Sequence, residues 1–286
     1  SVGAFHAVRR TLAPVDAIRV QMDEITVTDL DRRVPVPKNQ DEIQMLAKSV
    51  NTALERLEDA YNQLQRFTFY ASHELRSPLT AIRAQLEEAL MYPGDTEWPE
   101  AGHAILAAVD RLQALIIDLL FLARLDAGGS LTCEPTDLGR LVEAELDGRS
   151  SRVKVVRRLR KGVCARCDRP RISRLLANLM DNAERHATSK ITVTVRADES
   201  SAIMEVADDG AGIAPDLRDV VFKRFTRLDT SWHRDEGGSG LGLAIAWQIA
   251  KVHGGALTIQ DSERGAHLVL YLPRCDALRT PAAPEQ

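Results

Sequence analysis

The chain of 286 residues is poor in aromatic side chains, at 5%, and has neither a large net charge nor a long apolar run. Its formal charge is −4, so no global basic field points to nucleic acid as a partner. No segment approaches the ~18 consecutive apolar residues that a membrane-spanning helix needs. The beginning of the chain also lacks the charged start, apolar middle and small-residue cleavage site of a signal peptide. The chain as it stands is therefore expected to be soluble. Its first residue is Ser1 rather than Met, which points to a processed chain or an excised portion of a longer protein. Cysteine is sparse as well, with only Cys133, Cys164, Cys167 and Cys275. Cys164-Ala165-Arg166-Cys167 has the spacing of half a zinc site, but no second Cys or His pair completes it. The four are read as reduced thiols in a reducing compartment. One stretch departs from the balanced charge: Arg149 to Arg174 holds eleven Lys or Arg against the single acid Asp168. It reads as a solvated face and a basic strand rather than a nucleic-acid surface.

Helical periodicity fills the first half. A helix is predicted over Pro14 to Thr26, with Val15, Ile18, Met22 and Ile25 at spacings of three and four. A connector follows from Val27 to Gln40, broken by Pro35, Pro37 and Asn39, with Leu30 and Val34 as anchors. Asp41 is placed to cap a second, long helix. Along it Leu54, Leu57, Tyr61, Leu64, Thr68, Ala71, Leu75, Pro78 and Ile82 form a heptad seam, polar at Thr68 and imperfect at Pro78. Tyr92-Pro93-Gly94-Asp95 signals a turn, and Pro99 opens a third helix rich in Ile, Val and Leu from Ile105 to Leu122. Two antiparallel helices cannot bury such broad apolar faces alone, so a four-helix bundle built by two chains is predicted.

Within the long helix stands Ser72-His73-Glu74-Leu75-Arg76-Ser77-Pro78-Leu79. His73 falls between two seam positions, so its side chain is predicted to point outward. An imidazole titrating near pH ~6.5 offers an unprotonated nitrogen as a nucleophile at cellular pH. Glu74 is placed to accept the proton the ring loses. Pro78 has no N–H to return to the carbonyl of Glu74, so the helix should bend or loosen there.

After Gly128-Gly129 the pattern changes to strands (Val153–Val156, Ile191–Ala197, Ala202–Ala207, Ala256–Gln260, Ala266–Leu272) alternating with helices (Asp137–Asp147, Pro170–His186, Leu241–His253). A mixed domain with helices layered on an antiparallel-rich sheet is expected, and the tail after Asp276 should be disordered. This half carries four polar clusters. Asn178 and Asn182 put two carboxamides on one helix face, and their oxygens are suitable hard ligands for Mg²⁺. Arg185 lies close to the same face, where it can meet a phosphate. Asp208-Asp209-Gly210-Ala211-Gly212 follows a strand; a carboxylate there can accept the exocyclic amine of adenine, while glycine lets backbone approach a ring. Phe222-Lys223-Arg224-Phe225 and Arg227 set cations between aromatic anchors, as a lid over phosphates would. Gly237-Gly238-Ser239-Gly240-Leu241-Gly242 leads into an apolar helix and offers N–H groups to phosphate. In isolation each cluster has an ordinary structural explanation.

Their order and spacing are less ordinary. The chain resembles the sensor histidine kinases of bacterial two-component systems. His73 to Leu79 resembles the H box of that family, Asn178 to Asn182 its N box, and Asp208 to Gly212 its G1 box. Phe222 to Phe225 resembles the F box, Gly237 to Gly242 the G2 box, and Asp41-Glu42-Ile43 with the preceding helices a HAMP module.

The resemblance implies an α+β, multidomain chain. Residues 1–60 would be HAMP-like helices and 61–127 a dimerising hairpin that forms a four-helix bundle. Residues 128–275 would be a Bergerat-type α/β sandwich binding ATP, and 276–286 a disordered tail. It implies ATP and Mg²⁺ as cofactors, with Asn178 and Asn182 on the metal. Asp208 would read adenine with Gly210 and Gly212 beside it; Arg185, Arg224, Gly238, Gly240 and Gly242 would hold phosphates. His73, Glu74 and Ser77 would be catalytic, with Ser77 standing where threonine is common. The implied partners are a second copy of the chain and a response regulator, with no nucleic acid. A membrane enters only through segments missing from this chain, which would be the cytoplasmic portion of an inner-membrane protein. Two departures are Arg185-His186 for a common Lys-Tyr pair, and a missing second glycine in Gly265-Ala266-His267 that is expected to be chemically silent. Alternatives are an ATPase of the wider Bergerat superfamily, disfavoured because Asn178 stands where those enzymes carry a water-activating glutamate, and an inactive dimeric scaffold.

Overall fold

A computed structural model describes residues 2–26, 29–38, 42–94, 97–226 and 239–275, with side chains from residue 13 onward. The chain divides into two compact units, Ser1–His73 and Glu74–Gln286.

The first unit contains α1 (Val2–Glu24) and the first part of α2 (Glu42–Met91). α1 starts earlier than its periodicity suggests and carries Pro14 inside it. The connector is fixed as read from the sequence, since Leu30 and Val34 are both buried. Val34 joins Ile18, Ala47 and Leu54 in a small core. Its backbone is paired at both ends by one side chain: Val34 N–H donates to Asn51 Oδ1 at 2.9 Å, and Asn51 Nδ2 donates back to the Val34 carbonyl at 3.0 Å. The Asp41 cap lies outside the described residues.

α2 is an unbroken helix of 50 residues that passes through Pro78, about 75 Å long at 1.5 Å per residue. Its seam is only half covered. Leu54 and Pro78 are buried, Tyr61, Ala71, Leu75 and Ile82 are half-buried, and Leu57, Leu64 and Thr68 are exposed. After the turn at Pro93-Gly94, α3 (Trp98–Asp126) begins with Pro99 in its first turn, where a missing N–H costs nothing. α3 buries Leu115, Leu122 and Leu125 and exposes Leu106, Ile116, Ile117 and Leu120.

The rest of the second unit has two layers. The sheet is ordered β2 (Lys154–Leu159), β4 (Lys190–Ala197), β5 (Ser201–Asp208), β7 (His267–Pro273), β6 (Ala256–Gln260). Only β2 and β4 run parallel; the other neighbours are antiparallel. On one face lie α4 (Leu138–Asp147), α5 (Arg169–His186) and α6 (Gly242–Val252). Alternate residues of the strands supply the core: Ile191, Val193 and Val195 of β4, Met204 and Val206 of β5, Leu268, Leu270 and Leu272 of β7. They meet Leu175, Leu176, Leu179 and Ile245 from the helices, as period 2 against period 3.6 requires.

A small antiparallel pair, β1 (Glu134–Asp137) with β3 (Cys164–Cys167), adds to this sheet pattern. Both strands are four residues long, and Pro135 interrupts one, so neither carries a readable alternation. Here the reading of the cysteines needs correction. Cys164 is joined in a disulfide to Cys275, 111 residues on, with the Cα atoms 5.3 Å apart. Residues three apart on a strand face opposite sides, so Cys164 does not pair with Cys167. An antiparallel bridge of Ala165 with Arg274 brings Cys275 alongside instead, and its N–H donates to the Cys164 carbonyl at 3.0 Å. Cys167 stays free and buried, and burial pushes its thiol up.

Candidate active site

α5 and α6 position the helix-borne residues. Asp168 caps α5 by accepting the Arg171 N–H at 3.2 Å, and its own N–H donates to Nε2 of buried His253 at 3.0 Å. The start of α5 is thereby fixed to the end of α6. One face of α5 packs Leu175, Leu176, Leu179 and Ala183 into the core, which leaves Asn178 and Asn182 half-buried at its edge. Asn178 Nδ2 is buried without a hydrogen-bond partner among the described residues, and its Oδ1 sits near Gly242. A half-turn about χ2 exchanges oxygen for nitrogen at that point. Arg185 and His186 are exposed at the end of the helix.

Asp208 ends β5 and is 5% exposed. Its Oδ1 accepts the N–H of Gly210 at 2.9 Å and of Ala266 at 3.2 Å. Its Oδ2 is buried with no partner. A buried carboxylate oxygen left unpaired costs on the order of 1–3 kcal/mol or more, and among the described residues no donor meets this atom. The surrounding backbone is packed too tightly for side chains. A Cβ on Gly210 would lie 2.1 Å from the His186 carbonyl oxygen, and one on Gly265 2.0 Å from that of Asp208. Gly212 (φ +78°) and Gly240 (φ +66°) adopt left-handed backbone.

Neighbouring Asp209 secures the turn. Its Oδ1 accepts the N–H groups of Thr188, Ser189 and Lys190 at 2.9, 3.0 and 3.1 Å, and its Oδ2 accepts the Ser189 hydroxyl at 2.6 Å. These donors, led by the Ser189 hydroxyl, hold its carboxyl well below the usual range. Asp209 therefore braces the loop that presents Asp208.

Phe222 and Phe225 pack against the core as aromatic anchors. Phe225 has φ +62° and donates its N–H to the Gly240 carbonyl at 2.9 Å. A bulky residue in this region is strained and is held there only by its surroundings. Arg224 is half-buried and bonded to Asp126. Gly242 opens α6, as expected. Arg227, Gly237 and Gly238 lie outside the described residues.

His73 is exposed on α2, and Glu74 beside it is half-buried. Ser77 is exposed. His73 ends the first compact unit, whereas Asn178, Asn182, Asp208 and the described glycines around them all lie in the second. Asn178, Asp208, Gly210, Gly212, Gly240 and Gly242 are brought into one region around α5, the end of β5 and the start of α6.

Several participants have no role in the site as read from the sequence. Gly265 and Ala266 belong to the Asp208 site, although they lie 57 and 58 positions later. His267, where a second glycine was expected, pairs with Glu205 at 3.2 Å. Asp118 and Asp126 of α3 had no sequence signal beyond being acidic residues on a helix.

The domain content defines the class. Residues 167–276 match the histidine kinase-, DNA gyrase B- and HSP90-like ATPase family. Residues 63–128 match the His Kinase A phospho-acceptor domain, and residues 7–59 the HAMP domain. With all three in this order, the chain belongs to the sensor histidine kinases of bacterial two-component systems. It is 34% identical over 284 residues to the signal transduction histidine-protein kinase AfsQ2 of Streptomyces coelicolor, covering 92% of this chain and 53% of that protein. It is also 34% identical over 278 residues to the histidine-protein kinase/phosphatase MprB of Mycolicibacterium smegmatis, covering 91% and 54%. The chain thus spans about half the length of these relatives. The solved structure of Acinetobacter baumannii histidine kinase AdeS shares the fold, with a TM-score of 0.56 and 24% identity over 71% of this chain and 98% of that one.

Proposed function

We propose that the chain is the cytoplasmic portion of a membrane-linked sensor histidine kinase that phosphorylates its own His73 from ATP and passes the phosphoryl group to an aspartate of a response regulator. We divide it into residues 1–60, 61–127 and 128–275, followed by a tail. The observation that carries this reading is the buried, unpaired Asp208 Oδ2 inside a wall of side-chain-free backbone. A planar ring with an amino group fits there: the amine donates to Oδ2, and the backbone at Gly210 and Gly212 allows close approach.

The donor set also fits a magnesium-bound triphosphate. Asn178 and Asn182 offer amide oxygens, and Asn178 carries an orphaned buried polar atom that a ligand would satisfy. Mg²⁺ bound there would neutralise phosphate charge. Arg185 and Arg224 supply guanidinium donors, and Gly240 and Gly242 supply backbone at the N-terminus of α6. An imidazole nitrogen of His73 then bonds to the γ-phosphorus as the bond to ADP breaks, ADP leaves with the electron pair, and Glu74 takes the ring proton. Positioning and charge neutralisation provide most of the rate. Ser77 retains a hydroxyl for positioning water in regulator dephosphorylation, a reading supported by the kinase/phosphatase names of relatives such as MprB. The exposed apolar side chains of α2 and α3 support a homodimer.

Incubation with γ-labelled ATP tests the proposal. The full chain should acquire acid-labile, alkali-stable label, and His73→Gln should lose it below detection while still binding nucleotide. Phosphate release without labelled protein would replace the kinase with a hydrolase, and neither signal would leave a scaffold. A chase onto a candidate regulator should decay more slowly with Ser77→Ala.

A further inference from the structure

The last part of α3 sends two carboxylates towards the phosphate-binding elements. Asp126, the final residue of the helix, places both its oxygens 2.7 Å from Nη2 of Arg224. Asp118, eight residues earlier, accepts Nη2 of Arg174 at 2.6 Å, and that guanidinium stacks over Phe121 at 4.2 Å from the ring centre. Around these pairs Leu115, Leu122 and Leu125 are buried in the core of the second unit, so the helix is firmly seated.

The two ion pairs differ in what else their arginines are for. Arg174 has no part in the phosphate reading, so its bond to Asp118 is a fixed anchor. Arg224 is one of the cations assigned to phosphate, and it directly precedes Phe225, whose N–H donates to the Gly240 carbonyl. A guanidinium N–H that is directed at a carboxylate cannot be given in full to a phosphate as well. The Arg224 side chain is only 18% exposed, whereas Asp126 is 41% exposed, so water reaches the pair from the carboxylate side.

We propose that Asp126 is a positioning residue that competes with the phosphates of ATP for Arg224. Arg224 is held on the end of α3, and a triphosphate would have to take it over. This inference rests on the nucleotide reading of the site and deepens it. Because coupling between two equilibria is reciprocal, any shift of the Asp126 carboxylate away from Arg224 raises nucleotide affinity. By the same factor, bound nucleotide favours that shift. The end of the hairpin is thereby tied to occupancy of the ATP site through one exchangeable ion pair.

Calorimetric titration of the full chain with a non-hydrolysable ATP analogue and Mg²⁺ tests this in the wild type, D126N, D126E, R224Q and the D126N/R224Q double variant. D126N should bind about two- to fivefold more tightly, the range expected for removing one exposed competing charge. D126E keeps a carboxylate and should return affinity towards wild type. R224Q should bind more weakly, and adding D126N to it should change nothing further. Thermal melts establish that each variant is folded. A D126N variant that binds no more tightly than wild type overturns the proposal, as does an equal gain from D126N in the R224Q background. A wild-type chain that binds no nucleotide at all instead overturns the reading of the site on which the proposal stands.

Discussion

The helical hairpin and the ATP-binding domain handle apolar residues in opposite ways. In the domain, the strands and α4–α6 bury nearly every large aliphatic side chain against one another, with Leu175, Ile191, Val193, Ile245, Leu268 and Leu270 at 0% exposure. In α2 and α3, Leu64, Phe69, Leu79, Leu90, Leu106, Ile117 and Leu120 are all more than half exposed. The domain completes its core within one chain, while the hairpin leaves a face unfinished. An exposed apolar stripe of this extent calls for another surface, and the second copy proposed above would supply one of matching pattern.

The contrast can be broken from either side. On the domain side, Asn182→Ala should reduce affinity for ATP·Mg²⁺ by more than about tenfold, since it would remove one of the two amide oxygens proposed for the metal. Titration calorimetry reads that loss, and sedimentation should find the dimer unchanged. Normal autophosphorylation in this variant would remove Asn182 from the site. On the hairpin side, Ile117→Lys places a charge where an apolar contact is expected. It should weaken self-association by about 30-fold, as for an interface anchor worth ~2 kcal/mol. Because Ile117 is already exposed in one chain, the melting of the ATP domain should stay where it was. A dimer that survives intact would move the interface elsewhere.

The smallest effect sharpens the domain side alone. The hydrogen bonds to Asp209 hold its folded carboxyl below the unfolded value of ~3.9. Its contribution is therefore fully present above about pH 4 and is lost as pH falls towards the folded value. Asp209→Ala should lower stability at neutral pH, and the gap from wild type should narrow as pH drops from about 4 to 2. Urea unfolding at stepped pH measures the gap; a constant difference would mean that the loop draws nothing from the ionised group.

Much of this organisation was legible in the sequence because periodicity and turn chemistry are local. The strand Ala256–Gln260 is found at the residues read from the sequence, and α5 differs by one residue at its start. Asn178, Asp208 and Gly242 could be singled out because each sits in a dense run of polar or glycine residues. What escaped depends on contacts between distant segments. Gly265 belongs to the Asp208 site only because β7 lies beside β5, and Asp126 gains meaning only once α3 meets Arg224. The reading of Cys164 as a reduced thiol failed for the same reason: its disulfide partner Cys275, 111 residues away, is brought alongside by an antiparallel bridge that no local pattern announces. Even the missing glycine at position 267 turned out to carry a side chain with its own partner, Glu205.

That disulfide has a topological consequence. Cys164 and Cys275 enclose Asn178, Asn182, Asp208, Gly240 and Gly242 within a single covalent ring. In the oxidised chain, one backbone cut anywhere inside the ring leaves both fragments attached, so the parts of the nucleotide cluster cannot drift apart. Closing a ring of this size also removes on the order of 4 to 5 kcal/mol of freedom from the unfolded chain. The cluster is thus gathered twice, once by the fold and once by a bond that persists when the fold is lost.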